Sequence, residues 1–214
     1  MITIQCTYNE MKKRYTFVNP PKTGGNACEK YFDTYYKEHV KAVGHFNCCN
    51  NSNNPIVVIR DVVDRFISTY KYWKYGAIDT IFKRNSEFMK KYKNYTIQDF
   101  VVLLQNDCID DLHQTFTFDD HFKQQTDWIS DVGYSNLIVI IYEHDLTNKL
   151  EQLTTLLGIN DPSAKLDKIN ITKGADEDIQ LTEDDHAFIK KYYADDFALI
   201  DTIRQHPELF ISVI

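Results

Sequence analysis

The sequence predicts an α/β protein, with a mainly parallel central sheet flanked by helices. Three observations lead there. Residues 55–59 (Pro-Ile-Val-Val-Ile) form a continuous apolar run, and 136–142 (Asn-Leu-Ile-Val-Ile-Ile-Tyr) is apolar and rich in β-branched residues after Asn136, the signature of strands buried on both faces of a parallel sheet. A helical pattern follows each of them. Strand-type and helix-type segments alternate along the chain with no internal repeat.

Taken in order, Tyr15-Thr16-Phe17-Val18 favours an extended chain, and Pro20 and Pro21 end it because neither donates a backbone N–H. Gly24 and Gly25 mark a turn, and residues 27–36 place Ala27, Tyr31, Phe32 and Tyr35 at helical spacing. An asparagine-rich loop over 47–54 leads to the strand at 55–59. Helical spacing resumes over 62–75, with Val62, Phe66, Thr69, Tyr70 and Trp73 near one face. Residues 78–95 mix aromatic and basic side chains in a helical pattern. Thr96 with Asp99 is an N-cap signal for a helix to Leu104. Residues 108–125, where aspartates and histidines are mixed with aromatics, fit neither period. After the strand at 136–142, a helix over 147–157 is stopped by Gly158, 160–178 reads as loop, and one long helix spans 181–203 with Thr182 as N-cap and Asp185 three positions on.

At 214 residues the expectation is a single domain, 1–214, and 43% hydrophobic residues supply ample core. A net charge of -7 disfavours nucleic acid as a partner. The five cysteines (Cys6, Cys28, Cys48, Cys49, Cys108) are odd in number and include no CxxC, which suits free thiols in a reducing compartment. His45 stands near Cys48 and Cys49, but no second spaced pair completes a ligand set, so no metal is expected. The first ten residues contain no apolar signal-peptide core, and no apolar run reaches about 18 residues. A cytoplasmic or otherwise soluble protein, with no signal peptide or membrane anchor visible, is the expectation.

The chemistry centres on Lys22-Thr23-Gly24-Gly25-Asn26-Ala27. A strand, a glycine turn and a helix N-terminus put unsatisfied N–H groups and the helix dipole at one spot, which suits a phosphate or sulfate. Lys22 adds a charge and Thr23 a hydroxyl. A Walker A loop has its lysine after the second glycine; here the lysine comes first. The second motif is Ile59-Arg60-Asp61, ending a strand, with Ser68 about two turns along the next helix. Arginine brings a permanently charged planar fork and serine a hydroxyl donor. Both motifs sit at carboxyl ends of predicted parallel strands, where open α/β sheets bind ligands.

The order Pro-Lys-Thr-Gly-Gly resembles the 5′-phosphosulfate loop of sulfotransferases that use 3′-phosphoadenosine 5′-phosphosulfate (PAPS), and Arg60 with Ser68 resembles their 3′-phosphate motif. Asp120-His121-Phe122-Lys123-Gln124-Gln125, Tyr142-Glu143 with Asp145-Leu146, and the segment 181–197 look like further parts of Golgi-type carbohydrate sulfotransferases, so the likeness covers about 14–203. Asn26-Ala27 stands where the family often has Ser or Thr, and Val62 where it usually has proline.

The resemblance implies a P-loop-like three-layer fold and a PAPS-dependent O-sulfotransferase that releases adenosine 3′,5′-bisphosphate (PAP). Residues 22–27 would hold the 5′ end of the donor and Arg60 with Ser68 the 3′-phosphate. Lys173-Gly174 looks like a segment that closes over that phosphate in cytosolic relatives. Lys22 would neutralise the leaving phosphate. His45, placed where some glycan sulfotransferases carry a catalytic histidine, or His121, would take the acceptor proton. His121 and Gln125 would touch the acceptor, a hydroxyl compound and by this likeness a glycan; the seven basic residues between Lys71 and Lys93 suit an acidic one. A small-molecule or tyrosine acceptor, a P-loop nucleotide phosphotransferase and a catalytically silent PAPS-binding protein are the alternatives.

Overall fold

β-Branched residues alternate across strands, and the two faces of this sheet divide its strand residues accordingly. The computed structural model describes residues 15–42, 54–76, 93–106, 121–129, 137–142, 145–168, 176–207 and 211–213. Its elements are β1 (Tyr15–Val18), α1 (Gly25–Tyr35), β2 (Val40–Ala42), β3 (Pro55–Arg60), α2 (Val62–Tyr75), α3 (Ile97–Gln105), a 3-10 turn (Thr126–Trp128), β4 (Ile138–Tyr142), α4 (Leu146–Leu156), α5 (Glu183–Tyr192), α6 (Ala194–Gln205) and β5 (Ile211–Val213).

The five strands form one sheet in the order β2-β1-β3-β4-β5, and every neighbouring pair is parallel. Val57 and Ile59 of β3 and Val139 and Ile141 of β4 point to one face, where α2, α3, α5 and α6 supply Phe66, Trp73, Phe100, Ile189, Ile200 and others. Ile56, Val58, Ile138 and Ile140 point to the other, against Phe32 of α1 and Leu150 and Leu153 of α4. Period-two alternation thus feeds two apolar layers, and the architecture is the expected three-layer α/β fold. Each of these fully buried Val or Ile side chains contributes about 1.5–3 kcal/mol.

The strands β1, β3 and β4 and the helices α2, α3 and α4 lie where the sequence puts them, within one or two residues. Both predicted caps form: Thr96 with Asp99 and Thr182 with Asp185 each make a reciprocal capping box. Gly158, at φ +70°, follows the end of α4.

Three expectations are corrected. The short parallel strands β2 and β5 were absent from the sequence reading. The first helix begins at Gly25, two residues early. The long helix over 181–203 is two helices that meet at Tyr193, whose backbone leaves helical geometry (φ −106°, ψ 34°). The tyrosine hydroxyl there donates to the Phe122 carbonyl at 2.9 Å, so the break coincides with a tertiary hydrogen bond. Most of the predicted basic helix over 78–95 lies outside the described residues. Among the described residues no helix is long and apolar enough to cross a membrane.

Candidate functional site

Where β1 ends, the chain turns sharply enough to need two left-handed residues. One is Gly24, at φ +85°; the other is Lys22, at φ +67°. A non-glycine residue held there costs on the order of 1–3 kcal/mol and persists only when its surroundings over-determine it. The surroundings are three side chains that take three successive carbonyls. The Thr23 hydroxyl donates to Pro20 O at 2.9 Å. Arg65 Nε donates to Pro21 O at 2.9 Å. Arg60 Nη1 donates to Lys22 O at 3.3 Å.

With the carbonyls turned inward, the amides of residues 23–26 are left over. Among the described residues, the N–H groups of Thr23, Gly24, Gly25 and Asn26 have no acceptor, whereas Ala27 N–H already donates to Gly24 O at 3.1 Å. Four successive amides at the mouth of α1 offer the donors of an anion nest. Gly25 is required for a separate reason: a Cβ there would lie 1.3 Å from Asn19 Oδ1. Asn19 itself is buried, with Nδ2 donating to Glu29 at 3.1 Å and lying 3.5 Å from Asn26 Oδ1.

The cations converge on this loop. Arg60, half-buried at the end of β3, lies with its guanidinium carbon 5.3 Å from the Tyr142 ring centre. Among the described residues its buried Nε has no hydrogen-bond partner. Lys22 Nζ is 4.2 Å from the centre of the Tyr72 ring. Burial, and then the neighbouring charge of Arg60, bring the Lys22 ammonium down from 10.5 to about 7. Ser68 is half-buried on α2. It lies between Arg65 and Tyr72 in an i, i+3, i+7 stripe, and both of those residues touch the loop. Two motifs 35 residues apart in sequence therefore share one locus at the carboxyl ends of β1 and β3.

His121 is 9% exposed. Its ring stacks on Tyr72 (5.3 Å, 9°) and meets the edge of Trp73 at 5.4 Å. Tyr72 thus touches both Lys22 and His121. Trp73 belongs to the core, as expected.

Some of the predicted roles change. Gln125 is fully buried, with both ends of its amide on the Arg60 main chain, so it does not reach an acceptor. Thr23 is fully buried and its hydroxyl proton is committed to Pro20 O; only its amide is left over. Ala27 lends no amide to the nest. His45, Lys173 and Gly174 lie outside the described residues.

Sequence reasoning missed Arg65 and Asp196. Arg65 is 2% exposed and ties the loop to the His121 carbonyl, at 3.2 Å from Nη2. Asp196 is fully buried and accepts from the amides of Gln125 (2.8 Å) and Thr126 (2.9 Å) and from the Thr126 hydroxyl (3.2 Å). Burial pushes its carboxyl above the usual range, against the opposing pull of those donors and of the Arg65 charge. One signal for Arg65 was available: it falls inside the apolar stripe of α2, next to Phe66 and four residues before Thr69. The chain matches no protein-family model and no curated protein.

Proposed function

We propose that this protein is a PAPS-dependent O-sulfotransferase acting on a carbohydrate hydroxyl. The observation that carries the reading is the shared locus itself: a four-amide nest with Lys22 beside it, and the Arg60 guanidinium bonded to the same loop at 3.3 Å. One ligand carrying anions at both ends suits such a place, and a bisphosphorylated adenosine is one.

The nest amides and Lys22 would hold the 5′-phosphosulfate. Arg60 and the Ser68 hydroxyl would hold the 3′-phosphate. In transfer, the bond between sulfur and the 5′-phosphate oxygen breaks, the acceptor oxygen bonds to sulfur, and the acceptor proton passes to a base. The charge developing on the phosphate oxygen is where an ammonium at position 22 acts. His121, packed against the same tyrosine as Lys22, is the described candidate for the base, and His45 stands beside it from sequence alone. The Gly-x-x-x-x-Gly-Lys order that a P-loop phosphotransferase uses is missing.

Two measurements test this. Calorimetric titration with PAP should give saturable binding that Arg60→Ala and Lys22→Ala each weaken. Incubation with sulfur-labelled PAPS and a panel of glycans, phenols and tyrosine peptides should label a glycan. Absence of PAP binding by the wild-type protein refutes the proposal. Binding without transfer to any acceptor leaves a silent nucleotide-binding protein.

A further inference from the structure

We infer that Gln125 is a positioning residue for the Arg60 anion grip, taking the place of a strand neighbour that β3 lacks. The inference rests on the proposed function only for the identity of the ligand. β1 pairs with β3 as far as Val18↔Val57, then leaves through Asn19 and Pro20, whereas β4 stays alongside to Arg60↔Tyr142. The last residues of β3 therefore have a strand on one side alone.

The Arg60 N–H and C=O both go to the Gln125 side chain. Gln125 Oε1 accepts from Arg60 N–H at 2.9 Å, and Nε2 donates to Arg60 O at 2.9 Å. A primary amide carries the donor and acceptor of a peptide group, so it can close both bonds that a neighbouring strand would make. Arg60 is thereby fixed at the last position of its strand, where ends otherwise fray.

Gln125 is held in turn. Its N–H donates to Asp196 Oδ2 at 2.8 Å, and Nε2 lies 3.4 Å from the same oxygen. Asp196 is on α6, so the linkage runs by hydrogen bonds from α6 through Gln125 to the Arg60 main chain, and from the Arg60 guanidinium to the Lys22 carbonyl. Leucine at 125 fills similar space and makes neither bond. Glutamate keeps the acceptor but sets a second oxygen against the Arg60 carbonyl and Asp196 Oδ2, where a donor is needed.

The test compares wild type with Gln125→Leu and Gln125→Glu after thermal melting has confirmed that each is folded. Titration uses PAP and adenosine 5′-phosphate, which lacks the 3′-phosphate. Each variant should bind PAP about tenfold more weakly or worse, the effect of one loosened charge-assisted hydrogen bond, and binding of adenosine 5′-phosphate should weaken much less, since Arg60 reaches its loop only through the Lys22 carbonyl. With Arg60→Ala, the loss should be non-additive. Equal weakening for both ligands, additivity, or wild-type PAP affinity in a folded variant overturns the inference. Hydrogen exchange at the Arg60 N–H in the ligand-free protein reads positioning without any ligand. Protection should fall about tenfold in Gln125→Leu, and unchanged protection refutes it. If Gln125→Leu does not fold, Gln125→Glu carries the same comparisons. If wild type fails to bind PAP, the proposed function falls while the exchange result still decides the role of Gln125.

Discussion

Lys22 should take up a proton when an anion binds. In the ligand-free protein burial and the Arg60 charge hold its pKa at about 7, against 10.5 for an exposed lysine. At pH 8 about one molecule in ten then carries the ammonium. Phosphate oxygens beside Nζ favour the charged form, and a bound-state pKa above about 9 would protonate roughly nine in ten. Binding at pH 8 should therefore take up about 0.8 proton, and affinity should fall about fivefold per pH unit between roughly 7 and 9. The PAP phosphates are already ionised in that range, so they do not supply the effect. Titrations with PAP in two buffers of different ionisation enthalpy give the proton number, and Lys22→Met should reduce it to near zero. Arg60→Ala removes the second cause and should shift the affinity profile to higher pH. Stability is linked to the same group. The folded pKa lies below the unfolded one, so the folded state holds fewer protons between about 7 and 10.5. The resulting penalty is complete below pH 7 and fades as pH rises through that window. Ligand-free wild type should gain on Lys22→Met across it. A proton number equal to that of Lys22→Met, with a flat affinity profile, would refute a neutralised Lys22.

Four single substitutions test the supports. Gly25→Ala puts a methyl 1.3 Å from Asn19 Oδ1 and should cost about 1–3 kcal/mol in urea unfolding; Asn19→Ala in the same chain should return part of it, and an unaffected midpoint in the single variant contradicts the close approach. Thr182→Ala should cost about 1 kcal/mol by removing a cap. Asp185→Ala should cost more, because its carboxylate also accepts from Gln98 of α3 at 2.9 Å; equal losses would show that this bridge contributes nothing. Tyr193→Phe leaves the Phe122 carbonyl without its 2.9 Å donor and should lower stability by about 1 kcal/mol, measured by thermal and denaturant unfolding.

What could be read from the sequence, and what could not, follows from the range of the determining contacts. β3 and β4 announce themselves because strands buried on both faces must be apolar at every position. β2 (Val-Lys-Ala) and β5 (Ile-Ser-Val) are three-residue additions whose extended form is set by the strand they pair with. The break at Tyr193 is invisible locally, since helical period continues through it.

The site divides along the same line. Lys22, Gly24, Gly25, Arg60 and Ser68 belong to a small vocabulary dictated by anion chemistry, so residue type and spacing expose them. Their supports have no such vocabulary. Arg65 reaches Pro21 across 44 residues, Gln125 reaches Arg60 across 65 and Asp196 reaches Gln125 across 71. Any side chain with the right reach and donors would do, and charged residues read by default as surface. Gln125 is the telling case. As a polar residue one helical turn from a histidine it was expected at the acceptor, yet the fold turns its amide inward to complete a strand. The two roles differ in whether the Gln125 amide is committed to the Arg60 main chain, so the Arg60 N–H is where they part: shielded from exchange if Gln125 completes the strand, open to water if it reaches for a ligand.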